Sequence, residues 1–402
     1  MPSKKTLAEL IQQEYDLRLV VDRLRREVFQ QPDPSASPEL LTELADAEEK
    51  LDAVEKQRAA AQAGDPKSGL ILDTEKTTGL LGAQTTGLEA KVHLRMAHVP
   101  TAIYHLFDQT QHPLVSCEVR NASGTKTRRL RVISYIDGYS ARAVDTVELE
   151  PLDTHTFNQL PVLVHDQVKD VNELRRATLN ILLEALDGQV ELHKTEPIWL
   201  LARTTAPLAV QDPKTGEWQD LTRYFGAFVT PNAPSLMKYL RVAADYHPDG
   251  RLVGYQGDKS KVEPQVKAIF DALKKHADIT YVNSVIDFNP DQGCASQRVR
   301  LPRESLADKQ ANCIDGTVLF ASLLEGISMS PAIVVVPGHA FVAWETWRNE
   351  KEWRYLETAM IGTHTFEQAC TSAESTAKHY KSRLRQWPLR VLRSDYGITP
   401  ME

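Results

Sequence analysis

The chain has 402 residues, more than one compact core usually takes, so two or three domains are expected. Hydrophobic residues make up 42% and charged residues 25%, a globular balance with ample material for a buried core. The net charge of −7 argues against a general affinity for nucleic acid, and four scattered cysteines argue against a disulfide framework and for reduced thiols in a cytoplasmic compartment.

The amino terminus, "MPSKKTLAELIQQEYDLR", is charged throughout and lacks the apolar core of a secretory signal. No stretch approaches the roughly 20 apolar residues of a membrane helix. Residues 1–64 are expected to form a helical hairpin. Leu7, Leu10, Leu17, Val21, Leu24 and Val28 follow a coiled-coil spacing, interrupted at Glu14. "QQPDPSASP" breaks the first helix, Ser37 or Pro38 starts the second, and Leu40, Leu44, Leu51 and Val54 form its stripe. Such a hairpin either lies on its own body or pairs with a second copy or a partner helix. "AAAQAGDPKSG" (residues 59–69) is linker-like, and a connecting segment, read as helical, runs to residue 100.

From residue 101 to 212 the period shortens to two. "LVSCEVR", the turn "NASG" and "TRRLRVISYIDGY" predict a hairpin with Val115, Cys117 and Val119 on one face, Cys117 being a core residue. "ARAVDTVELEPL", "HTFNQLPVL" and "QVELHKTEPIWLLA" add strands, and "NELRRATLNILLEAL" a strand with a flanking helical turn. Their spacing suits an immunoglobulin-like β-sandwich. Residues 221–402 change texture again, with amphipathic helices at "SLMKYLRVAADY" and "VEPQVKAIFDALKKH". "KHYKSRLRQWPLRVLR", with Tyr380 and Trp387 interleaved, reads as a solvated basic helix. Trp344, Trp347 and Trp353 are expected to wall a cleft or the core.

In this third region "QANCIDGTVLF" places Cys313 one step before an apolar helical run of Leu319, Phe320, Leu323, Leu324 and Ile327, ended by Gly326. Asn312 is a favoured N-cap, and Asp315 can complete a capping box. Cys313 then opens the helix, where free backbone N–H groups and the helix dipole favour a thiolate. Downstream, "SPAIVVVPGHAFVAWETW" predicts a strand, a Pro-Gly break and a second strand opening at His339. "WRYLET" predicts a third strand bearing Glu357. A turn centred on Arg348 sets His339 opposite Glu357; one centred on Asn349 makes them diagonal neighbours on one face. Glu345 and His364 are rival partners for the histidine. Cys294 reads as a loop thiol and Cys370 as a buried helical one. No close ligand pair suggests zinc, and no phosphate loop, HExxH or serine elbow occurs.

A cysteine at a helix start, a histidine on one strand and an acid on the next resemble the transglutaminase-like superfamily, a branch of the papain-like cysteine peptidase fold. The segment "RLPRESLADKQANCIDGTVLFASLLEGISMSPAIVVVPGHAFVAWE" is similar to that superfamily's prokaryotic members: Cys then Asp, an apolar helix ending in Gly-Ile, then Gly-His-Ala before a strand. The resemblance spans residues 225–390 and implies a multidomain α+β protein with a C-terminal catalytic domain. It makes Cys313 the nucleophile, His339 the general acid/base and Glu357 the orienting acid, where the superfamily more often has aspartate. One oxyanion donor would be the Cys313 backbone N–H and the other an upstream side chain, with Gln297 ranked before Gln310 and Asn283. The implied activity is a cysteine peptidase without metal or organic cofactor, and the auxiliary domains point to a specific protein substrate, a product encoded nearby being the candidate. Acyl transfer or deamidation through the same thioester is the alternative reaction. A binding or scaffold protein that retains the fold for its shape is the alternative class.

Overall fold

The computed structural model describes residues 38–64, 87–282 and 293–401, together with helical positions at 10, 13, 17, 20, 21 and 24. The remainder of the expected first helix, the proline-rich break, residues 65–86 and Asn283 lie outside the described residues. Helix α1 (Pro38–Gly64) starts at a proline and runs through the alanine-rich stretch read above as linker. Alanine is the best helix former, so that composition extends a helix rather than ending it. Val21 and Leu24 of the preceding helical positions pack with Leu44 and Ala47 of α1. The Tyr380 hydroxyl donates to the Glu48 carboxylate, docking α1 on the C-terminal region.

Strands β1 (Leu88–Leu94) and β2 (His98–Pro100) replace the expected connecting helix, because Leu88, Ala90 and Val92 alternate with polar residues. Next come β3 (Val115–Asn121), β4 (Arg128–Ile136), β5 (Ala143–Leu149) and β6 (Thr154–Gln159), then β7 (Arg175–Ala185) and β8 (Val190–Leu201). They form two sheets, ordered β1-β3-β6 and β2-β8-β7-β4-β5. The sheets share a core of Cys117, Val119 and Phe157 with Leu130, Val132, Leu149 and Leu183. Thus β3 and β4 are not the predicted hairpin; the "NASG" connection crosses between sheets. Both strands carry an apolar inner face, and crossing over lets those faces meet across the core. Asn121 secures the crossing by donating from its amide to the carbonyls of Lys126, Leu149 and Glu150. The segment at β7 is one continuous strand without a helical turn.

After a short turn, β9 (Thr205–Gln211) leaves the sandwich and joins β10 (Trp218–Asp220) and β12 (Cys294–Arg298) in a separate antiparallel sheet. Helices α2 (Pro234–Tyr246) and α3 (Val262–His276) form where the amphipathic pattern predicts them. β11 (Thr280–Tyr281) pairs in parallel with β13 (Gln310–Ala311), and α4 (Pro302–Asp308) lies between β12 and β13. Helix α5 (Cys313–Gly326) is buried along nearly its whole length, as expected of a helix apolar on all sides. It packs on a four-stranded antiparallel sheet ordered β16-β15-β14-β17, built from β14 (Pro331–Val336), β15 (His339–Glu345), β16 (Trp353–Leu356) and β17 (Arg385–Pro388).

Helix α6 (Phe366–His379) follows β16, and α7 (Leu389–Ser394) follows β17. The expected basic helix over 378–393 is therefore interrupted by a strand. Its Trp387 pairs with Ile333 in the sheet, an apolar contact that outweighs helical continuity. Arg393, at its end, is a clasp rather than a solvated charge. Its guanidinium donates to the carbonyls of Gly226, Ile398 and Val229 and pairs with Glu325 at 3.0 Å. Arg393→Ala would strand a half-buried carboxylate and three carbonyls, at an expected cost of about 2–4 kcal/mol. Urea denaturation should show a lower midpoint with an unchanged slope.

Candidate active site

The first turn of α5 is organised by its flanking residues. The Asn312 side chain accepts the Asp315 N–H at 2.8 Å, and Asp315 accepts the Asn312 N–H at 3.1 Å, a reciprocal capping box. Cys313 therefore occupies the first helical position, 7% exposed, where helix geometry leaves backbone N–H groups without an intrahelical acceptor. The Cys313 carbonyl is gripped by the Thr317 hydroxyl at 2.7 Å and by Thr358 at 3.4 Å. Close approach of the Thr358 turn depends on Gly316, since a Cβ there would lie 2.9 Å from the Thr358 hydroxyl.

His339 opens β15, and Glu357 directly follows β16 and caps the turn Thr358–Met360. The register pairs Val342 with Leu356, so the hairpin is centred on Asn349 and the two residues are diagonal neighbours. Positive φ values at Asn349 and Lys351 shape that turn. His339 Nε2 lies 2.6 Å from Glu357 Oε2, and the carboxylate's other oxygen accepts the Ala359 N–H at 3.0 Å. Glu357 is fully buried and the His339 side chain 8% exposed. The Cys313 sulfur neighbours His339 closely enough to favour the charged form of the imidazole. Burial by itself would lower the His339 pKa; the Glu357 charge and the contacts with Cys313 and Glu357 override it and raise the value to about 10.

Gln297 completes the cluster, its Nε2 standing 4.0 Å from the Cys313 sulfur. It reaches this place because β12 is laid against β9, with Gln297 paired to Ala206. Of the other candidates, Gln310 lies in β13, paired with Thr280. Glu345 sits at the far end of β15 and accepts the Lys351 N–H, while His364 bonds the neighbouring Thr363 hydroxyl. The three remaining thiols are buried elsewhere. Cys294 is a strand residue of β12, not a loop thiol, because its side chain faces the core beneath β9. Burial pushes Cys117 up to about 11 and Cys370 up to about 12. Trp344 belongs to the core, its ring tilted against Phe366, and Trp347 meets Tyr255 edge-on.

Asp315 reads from the sequence only as a helix cap, and Arg300 is not among the residues expected at the site. In the structure Arg300 donates its backbone N–H to Asp315 Oδ1 at 2.7 Å and its guanidinium to Oδ2 at 2.8 Å, both residues being buried. The available signal was an arginine held between Val299 and Leu301, an apolar setting that calls for a buried counter-charge.

No family model matches the chain, and no curated protein matches it. Among solved structures it is similar to a FixG-related protein from Vibrio parahaemolyticus, at 11% identity over 29% of this chain and 97% of that one. The TM-score of 0.18 is too low to assign a fold. Among the described residues no helix is long and apolar enough to cross a membrane.

Proposed function

We propose that this protein is a cysteine-dependent hydrolase of the transglutaminase-like type, cleaving an amide bond in a protein substrate. The observation that carries this reading is the convergence on one sulfur of His339, itself held by a buried Glu357, and of the Gln297 amide. In the proposed reaction the Cys313 sulfur attacks the carbonyl carbon, and the oxyanion is held by the Cys313 N–H and the Gln297 side chain. Protonated His339 gives its proton to the leaving amine as the C–N bond breaks, forming a thioester. Water, deprotonated by His339, then releases the acid and restores the thiol. Glu357 keeps the imidazole oriented and stabilises its cation. An amine in place of water would give acyl transfer from the same intermediate.

The two facing sheets support an immunoglobulin-like assignment for the middle region, and the helix-on-antiparallel-sheet arrangement supports a papain-like one for the catalytic region. We assign substrate recruitment in the cytoplasm to the sandwich and helical hairpin. The test is selective alkylation. None of the four cysteines is joined in a disulfide, so iodoacetamide near neutral pH reports each in one peptide map. Cys313 should react at least about tenfold faster than Cys117, Cys294 and Cys370, and His339→Ala should abolish that advantage. Uniformly slow labelling of all four would favour a non-catalytic scaffold.

A further inference from the structure

The amide of Gln297 and the N–H of Cys313 belong to separate elements, β12 and α5, yet must face a single oxygen atom. What joins the two elements is a set of bonds immediately beyond Gln297. The Arg298 carbonyl accepts from the Asn312 side-chain amide at 3.2 Å. Val299 donates its N–H to the Thr204 carbonyl at 2.7 Å. Arg300 donates through both backbone and guanidinium to Asp315, whose second oxygen also holds the Asn312 N–H. The Val299 bond anchors the strand that carries the amide, while the Arg298–Asn312 and Arg300–Asp315 bonds reach from beyond that strand to the turn that carries the sulfur. Asp315 is fully enclosed, and the Arg300 side chain is 5% exposed. A buried ion pair of this kind adds little stability over an apolar pair of similar volume, whereas it does fix geometry.

We infer that Arg300 is a positioning residue for the oxyanion site: clamped to Asp315, it sets the Gln297 amide against the first turn of α5. The inference rests on the reading of Cys313 as a nucleophile toward carbonyl carbon, and the experiment separates the two.

The probe is 4-nitrophenyl acetate. The Cys313 sulfur forms a bond to the acetyl carbon, the ester C–O bond breaks, and nitrophenolate departs with the electron pair; water later frees acetate. Gln297→Ala should slow acylation about 10²-fold, the usual cost of one oxyanion donor. Arg300→Gln should slow it about tenfold, with the loss in kcat rather than KM, and Arg300→Lys should recover most of that. The double variant Gln297→Ala/Arg300→Gln should be no slower than Gln297→Ala alone, because a misplaced amide and an absent one are equivalent. Sulfur exchange with methyl methanethiosulfonate involves no carbonyl and should stay within about twofold of wild type in Arg300→Gln and Arg300→Lys. Multiplicative losses in the double variant, or a parallel fall in sulfur exchange, would overturn the role of Arg300. If Cys313→Ala is acylated as fast as wild type, the nucleophile assignment fails instead. Should Arg300→Gln lose its cooperative melting transition, the same cycle run with Asp315→Asn must show the same coupling, and additivity there is equally damaging.

Discussion

Cys313→Ala is expected to lower substrate cleavage by at least about 10⁴-fold, some 5.5 kcal/mol of transition-state stabilisation. The size follows from the chemistry, since without the sulfur no thioester forms and His339 has nothing to activate. The side chain is small and lies at the helix surface nearest the cluster, so the fold should survive; alanine is a good helix former and the Asn312–Asp315 box is untouched. Wild type and Cys313→Ala incubated with cell lysate, followed by mass-spectrometric mapping of new protein termini, would reveal cleavages present only with the sulfur. Identical sets of termini from both proteins would contradict the proposed activity, and the wild-type set would identify the substrate.

Glu357→Gln should have the second-largest effect, lowering kcat by about 10³–10⁴-fold with little change in KM, as for loss of the orienting acid in other triads. The substitution is nearly isosteric, but the amide carries no charge to oppose burial of an imidazolium. The His339 pKa, about 10 in the native site, should therefore fall. The sign is clear from the shift. A histidine raised above its ordinary value of about 6.5 adds stability that is complete below that pH and disappears as pH rises through about 10. The stability difference between wild type and Glu357→Gln should thus be greatest at or below about pH 6.5 and shrink toward pH 10. The alkaline limb of the rate profile should move toward neutrality. An unmoved limb would mean that Glu357 is a passive core carboxylate.

How much of this site can be read from the chain depends on how locally each part is encoded. The Cys313 placement is legible because the Asn312–Asp315 box spans four residues of one turn. The His339–Glu357 pairing is legible up to one ambiguity, the centre of the turn, which positive φ values at Asn349 and Lys351 resolve in favour of Asn349. Gln297 is reachable by donor chemistry. Its actual support, the pairing of β12 with β9, joins residues about ninety positions apart, and no local period encodes such a partner. The same limit explains the exchange of sheets between β3 and β4, since alternation identifies a strand and its inner face but not its neighbour. Arg300 and Asp315 are hard to see for another reason: each has an innocent local role, as a loop cation and a helix cap, and only their meeting gives them a joint one.

The pairing of β9 with β12 also bears on how the molecule can be divided. A fragment beginning near residue 221 keeps Cys313, His339 and Glu357 but lacks the neighbour that aligns Gln297, so cutting there severs the chemistry rather than isolating it. Because β9 follows β8 after a three-residue turn, tension applied to the sandwich by a bound protein would be transmitted along the backbone to the wall beside the sulfur. The recruitment and the reaction proposed for this protein are in this sense two ends of one continuous ribbon.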